Sequence, residues 1–303
     1  MGRNAVRRLV CLVFLAATLV ARGALASEQV TILYTNDLHA RLERLESLRG
    51  LVDAERKEGR PVLLLDAGDT WQDFRAPLPA VWGARETVVW MNQVGYSAMA
   101  LGNHDLYFGA ERLAALVGEA GFPVLSANLT ALAGWKAPFL PYTFVTCGDL
   151  RVLVVGLTTG EFLPYADFPW LRYEDPAHAL AEALEASRDQ PRDLVVVLCH
   201  LPAPEACLLA EAAPEVDVFV TGHSHQETPQ PIHAGNALIV QARPFGEALG
   251  RLRIEVDPGT PGARVLDNTL LETTATPVDV RPGLAQLLEA GLLLCVLVLL
   301  CFF

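Results

Sequence analysis

Val30-Thr31-Ile32-Leu33-Tyr34-Thr35-Asn36-Asp37-Leu38-His39 is the stretch that decides the fold. Val30–Tyr34 is an apolar, β-branched run, and it reads as a strand buried on both faces, the kind found in parallel sheets covered by helices. The run ends on Asp37 and His39, two residues apart in an extended segment, so both side chains turn toward one point. The pattern then repeats. Val62–Leu65 leads into Asp66-Ala67-Gly68-Asp69, and a weaker run, Ala98–Leu101, leads into Gly102-Asn103-His104-Asp105. Leu194–Leu198 leads into Cys199-His200, and Val216–Val220 into Gly222-His223-Ser224-His225. Donors at the carboxyl ends of strands are where an open α/β sheet keeps its site.

Helical patterns lie between these runs. Arg41–Lys57 carries Leu42, Leu45, Leu48 and Val52 at helical spacing, and Gly59-Arg60-Pro61 ends it. Further helices are expected at Ala84–Val94, Ala110–Ala120 and Ala177–Arg188, with strands at Pro123–Ala127, Tyr142–Val145 and Arg151–Gly156. After the last histidine pair, three strands follow one another at Ala237–Gln241, Gly250–Val256 and Arg264–Leu271, the last two joined by a turn at Pro258–Gly262. Such an order predicts an α/β protein of two sheets packed face to face with helices outside.

The two ends read differently. Arg3, Arg7 and Arg8 precede the apolar run Leu9–Val20 and then Ala24-Leu25-Ala26, the pattern of a secretory signal cleaved after Ala26. The pair Arg7-Arg8 is also compatible with a twin-arginine route. Residues 1–26 are therefore expected to be a signal peptide and 27–275 a catalytic domain, in a protein that is exported to a periplasm, the extracellular space or the outer membrane face. Residues 276–303 are expected to be a linker helix, Leu284–Ala290, and an apolar tail, Gly291–Phe303. A helix over that tail would span about 20 Å against ~30 Å of hydrocarbon, so it suits a shallow membrane association, a partner-binding segment or a cut end better than a full span.

Composition narrows the partners. Hydrophobic residues make up 52% and charged residues 19%, which excludes a disordered chain. Removing residues 1–26 takes away four arginines and no acid, so the formal charge moves from −12 to −16. A body so acidic repels phosphate backbones and excludes nucleic-acid polymers as partners. A small anionic substrate would have to be drawn in locally, by metal ions and a few arginines, since Lys57 and Lys136 are the only lysines. Cys147, Cys199 and Cys207 remain between the two ends; a Cys199–Cys207 bridge is conceivable, but an odd count gives no disulfide framework.

The donor types point to a two-metal hydrolase. Two divalent ions clamp a phosphoryl group and lower the pKa of a water between them. Such a site needs hard carboxylate oxygens, imidazoles and one bridging carboxylate. Asp37, His39, Asp69, Asn103, His200, His223 and His225 supply seven donors, and Asp69 is placed to serve both ions. Asn103 offers a neutral oxygen that limits negative charge, and His223 and His225 can each serve a different ion. Any one motif alone is better read as a turn or a satisfied core histidine. Asp66 is expected to cap its strand end, and His178 and His233 to lie on the surface.

Thr35–His39, Leu65–Asp69, Gly102–Asp105 and Thr221–His225 resemble the calcineurin-like metallophosphoesterases, most closely the 5'-nucleotidase and UDP-sugar hydrolase branch. The similarity runs from about Gln29 to Asp257, through Ile239-Val240-Gln241-Ala242 and Leu249-Gly250-Arg251-Leu252. The resemblance implies a four-layer α/β/β/α sandwich of two mixed sheets. It implies one metal held by Asp37, His39, Asp69 and His225 and a second by Asp69, Asn103, His200 and His223. Mn, Zn, Fe or Co would suit this set. It makes His104 the catalytic group, stabilising the transition state or protonating the leaving oxygen.

Where the branch usually has an aspartate orienting that histidine, this chain has Tyr107; Asp105 or Asp73 is expected to take over. The branch also carries a second, substrate-binding domain, which the similarity does not reach. Arg75, Arg243, Trp71 and Tyr107 are candidates to replace part of it. The function expected is hydrolysis of small phosphate esters, nucleotides among them, by a metal-bound hydroxide. Two other readings stay open: a non-catalytic metal- or ligand-binding relative, and a thiosulfate-related hydrolase of the same fold.

Overall fold

Strands with two apolar faces must be covered twice, and the architecture follows from that need. The computed structural model describes residues 27–71, 83–107, 109–132, 134–161, 168–257 and 262–277. The expected signal peptide, the linker helix and apolar tail, the 258–261 turn, Asp73 and Arg75 lie outside these residues.

One sheet takes β1 (Glu28–Thr35), β2 (Val62–Asp66), β3 (Ala98–Ala100) and β4 (Val124–Leu125) as parallel neighbours. On the far side of β1, β13 (Ala248–Val256) and β14 (Ala263–Glu272) add antiparallel, giving the order β14-β13-β1-β2-β3-β4. The other sheet has the order β11-β12-β10-β9-β7-β6. Its parallel centre is β7 (Leu150–Thr158), β9 (Leu194–His200), β10 (Val218–Thr221) and β12 (Ala237–Val240). Antiparallel β6 (Tyr142–Cys147) and β11 (Ile232–Ala234) flank it. A third, two-stranded sheet pairs β5 (Leu129–Ala131) with β8 (Leu171–Tyr173).

Side-chain alternation sorts the core into three layers. Val30, Ile32 and Tyr34 of β1 and Leu63 and Leu65 of β2 pack with Val152, Val154, Val196, Leu198, Val218 and Val220 of the other sheet. Leu33 and Leu64 point the opposite way. They join Leu45, Leu48 and Val52 of α1 (Leu45–Lys57), Val88 and Met91 of α2 (Ala84–Val94), and Leu113 and Leu116 of α3 (Gly109–Glu119). Val195, Val197 and Cys199 meet Leu180 and Leu184 of α4 (Pro176–Ala186) and Ala206 and Leu209 of α5 (Ala203–Ala212). The result is the α/β/β/α order that the sequence predicts. The strand expected at Val216–Val220 begins at Val218, and the helix expected from Arg41 starts as a 3-10 turn at Leu42–Arg44. Cys147, Cys199 and Cys207 are free thiols, so the 199–207 bridge does not form.

Candidate functional site

The chain turns sharply at the end of each central strand, and these turns meet. Past β1 and β2 the backbones stay paired, with Asp37 N donating to Gly68 O (2.8 Å) and His39 N to Asp69 O (2.9 Å). Asp37, His39, Asp69, His223 and His225 all lie at positive φ, between 48° and 68°. Gly102 is required for a different reason. A Cβ there would sit 2.1 Å from Asp69 Oδ1, so only glycine lets the two turns approach.

Six of the seven expected donors come together with His104, and the seventh, Asn103, directly precedes His104, whose N–H donates to Asp69 Oδ1 at 2.8 Å. Asp69 Oδ2 is 3.1 Å from His200 Nε2, 3.9 Å from His39 Nε2 and 4.0 Å from His104 Nε2. Asp37 Oδ1 is 3.4 Å from His225 Nε2 and 3.9 Å from both His39 and His200 Nε2. Three groups could hold a cation: Asp37, His39 and His225; Asp69, His200 and His223; and His39, Asp69 and His104. The first two are each drawn from the residues expected to hold one ion, without Asp69 in the first and without Asn103 in the second. In the third, His104 reaches Asp69 from the mouth, with its side chain 15% exposed.

Neighbouring groups fix these donors. Asn36 Nδ2 donates to Asp37 Oδ2 (2.7 Å), while its Oδ1 accepts from Ala242 N. His223 N donates to both Asp37 oxygens at 3.1 Å. His200 Nδ1 lies 2.7 Å from Ala67 O, which puts a proton on Nδ1 and turns Nε2 toward Asp69. Asn103 Nδ2 donates to Tyr107 Oη at 3.1 Å, which orients its amide. As a result Asn103 Oδ1 is buried without a hydrogen-bond partner. An acceptor left so costs about 1–3 kcal/mol, and a cation would remove that cost. The residues therefore fit a metal centre.

Charge balance in the cluster follows from burial. Burial works against the Asp69 carboxylate, but the charge and hydrogen bond of His200, with the charges of His39 and His104, together outweigh it and hold the group below the usual range. Burial would lower the His200 imidazole, but the charges of Asp69 and Asp37 outweigh it and raise the group to about 10.

Two aspartates of the motifs brace the turns. Asp66 accepts from Thr35 Oγ1 (2.6 Å), Thr70 Oγ1 (2.5 Å) and Gly68 N (2.9 Å), the strand-end cap expected of it. Burial pushes it up to about 7. Asp105 accepts from the backbone N–H groups of Asp69, Thr70, Trp71 and Gly102 at 2.9–3.2 Å. Its carboxylate ties the 69–71 turn to Gly102. Burial, with the charge of Asp69, pushes it up to about 7.

The substrate-domain substitutes fare less well. Arg243 is paired with Glu227 and with Glu272 (3.0 Å), so its charge is already engaged. Trp71 is fully buried and belongs to the core. Tyr107 does border the site, its ring 4.8 Å from that of His104. His178 and His233 are on the surface as expected. Sequence reasoning missed Phe245, which packs on the rings of His39 and His225 at 5.5 and 4.9 Å. It also missed Glu161, 2.9 Å from His223 Nε2. Phe245 sits just past the Gln241-Ala242 motif, a signal that was available; Glu161 carries no motif.

Comparisons with known proteins point to one family and one fold. The family model for calcineurin-like phosphoesterases matches residues 30–227. A 5'-nucleotidase of Bos taurus is 32% identical over 293 residues, covering 83% of this chain and 50% of that protein. The crystal structure of a 5'-nucleotidase precursor from Thermus thermophilus superposes with a TM-score of 0.72 at 28% identity, over 88% of this chain and 59% of that one. The sulfate thiohydrolase SoxB of Thermus thermophilus superposes at 0.69 with 23% identity, over 80% and 56%, a likeness of fold alone. The chain spans about half the length of the curated relatives it matches.

Proposed function

This chain belongs to the calcineurin-like phosphoesterase family, and on that premise we propose that it is a metal-dependent hydrolase of small phosphate esters. The observation that carries the reading is the orphaned buried acceptor Asn103 Oδ1 beside a cluster of carboxylates and imidazoles. One ion would be held by Asp37, His39, Asp69 and His225, and a second by Asp69, Asn103, His200 and His223. Two divalent ions supply, when bound, polarisation of the phosphoryl oxygen and activation of the attacking water.

The protein's own work is placement and proton handling. Asp69, held by the turn at Gly102, lies between the two donor groups. His104, at the mouth, gives a proton to the leaving oxygen. Tyr107 holds the Asn103 amide so that its oxygen faces inward to the donors. Asp105 acts through the turns it braces. The 5'-nucleotidase relatives put nucleoside monophosphates first among substrates to try. The leader pattern of residues 1–26 supports export, and the first residue of the exported chain would then be Ser27.

Metal content of the purified chain, measured beside hydrolysis of phosphomonoesters, phosphodiesters and thiosulfate esters with and without chelator, tests this reading. Close to two metals per chain with chelator-sensitive phosphoester turnover is the expected result. Two metals without turnover would make the chain a non-catalytic relative. Turnover of the sulfur substrates alone would favour the thiosulfate-related reading, and absence of metal after reconstitution with Mn, Zn, Fe or Co would overturn both.

A further inference from the structure

His200 and His223 belong to the same donor group, yet their surroundings select different ring nitrogens. His200 is bonded through Nδ1 to Ala67 O and presents Nε2. In His223 it is Nε2 that is engaged, 2.9 Å from Glu161 Oε2. An imidazole whose Nε2–H is donated to a carboxylate presents the lone pair of Nδ1. The rest of His223 is held as well. Its backbone N–H is taken by Asp37, and its ring sits edge-on to His200 with centroids 5.3 Å apart.

Glu161 itself stands on a rigid base. It follows β7, its N–H donates to Thr159 Oγ1 (3.0 Å), and Thr158 is locked to Asn128 by bonds in both directions. We propose that Glu161 is a positioning residue of the second metal group, fixing His223 as the Nε2–H tautomer so that Nδ1 is offered beside Asp69 and His200. This rests on the reading of His223 as a ligand. The competing account is a surface ion pair, because the Glu161 side chain is 58% exposed while that of His223 is 9% exposed. Such a pair would add slightly to stability and do nothing to metal affinity.

Calorimetric titration of the metal-stripped full chain with Mn²⁺ separates the two accounts. Glu161→Ala weakens one of two Mn²⁺ sites by about 10–100-fold and leaves the other unchanged. Glu161→Gln, whose carbonyl still accepts from Nε2–H, recovers most of that affinity. Glu161→Ala combined with His223→Ala binds no worse than His223→Ala alone. Wild-type affinity at both sites in Glu161→Ala, alongside a lost site in His223→Ala, overturns the inference and leaves the metal centre standing. Two undiminished sites in His223→Ala overturn the ligand reading and the inference with it. Far-ultraviolet circular dichroism of each variant checks that the fold is intact.

Discussion

Asp37, His39, Asp69, His223 and His225 sit in a backbone region that each L side chain enters at a cost of about 1–2 kcal/mol. Five such residues in one cluster are retained only if the arrangement they produce is used. Their strain aims carboxylates and imidazoles inward, where backbone N–H groups and neighbouring carbonyls hold them. Two substitutions separate chemistry from placement within this cluster. His104→Ala should lower phosphoester turnover by about 10²–10⁴-fold while metal content stays at its wild-type value, as read by steady-state rates and metal analysis on the same sample. Tyr107→Phe keeps the ring against His104 and removes only the acceptor for Asn103 Nδ2. It should weaken one metal site about tenfold, and unchanged affinity would show that Asn103 needs no such help.

Elements were legible in the sequence where their pattern was long. The apolar runs of β1, β2, β7 and β9 revealed two covered sheets, and the Asp, Asn and His residues that end or follow β1, β2, β3, β9 and β10 marked the candidate donors. α5 was not legible, because Pro202-Ala203-Pro204 reads as a loop although proline is tolerated in a first helical turn. β5 and β8 are three residues each, too short for a period to register. Glu161 was hidden because an exposed loop carboxylate looks like any other until His223 is placed beside it.

One contact between elements had no sequence signature either. Glu55, buried on α1, accepts from Arg251 and Arg253 of β13 at 2.8 Å each, and Arg251 also reaches Asp267 of β14. Burial would raise this carboxyl, but the two arginine hydrogen bonds outweigh it and hold it below its ordinary 4.5. Its stabilisation is therefore present above that value and is lost as pH falls through the lower folded value. Glu55→Ala should cost roughly 2 kcal/mol in urea unfolding at neutral pH, since it removes the carboxylate shared by two partly buried guanidinium groups that keep Asp267 and Glu58 as their acidic partners, and the cost should shrink toward acid. Equal stability at pH 7 would mean solvent already satisfies the arginines.

At the scale of the molecule, the donors are divided between the two sheets. Asp37, His39, Asp69 and Asn103 follow β1, β2 and β3, whereas His200, His223 and His225 end or follow β9 and β10. Between the sheets lies mainly apolar packing, which is non-directional, and hydrogen bonds such as His200 Nδ1 to Ala67 O and His223 N to Asp37 join their carboxyl ends. A metal ion bound across that seam would act as a link as well as a reagent, because it binds the folded arrangement and has no equal site in the unfolded chain. At a free metal concentration a hundredfold above its dissociation constant, one ion adds about 2.7 kcal/mol. For a domain of this size that is roughly 5–10 °C in Tm. Chelation should therefore lower Tm by that order and raise amide exchange at the ends of β1, β2 and β9, with the outer helices little changed. Loss of turnover on chelation with no movement of Tm would place the ions in a pocket that the two sheets form without them.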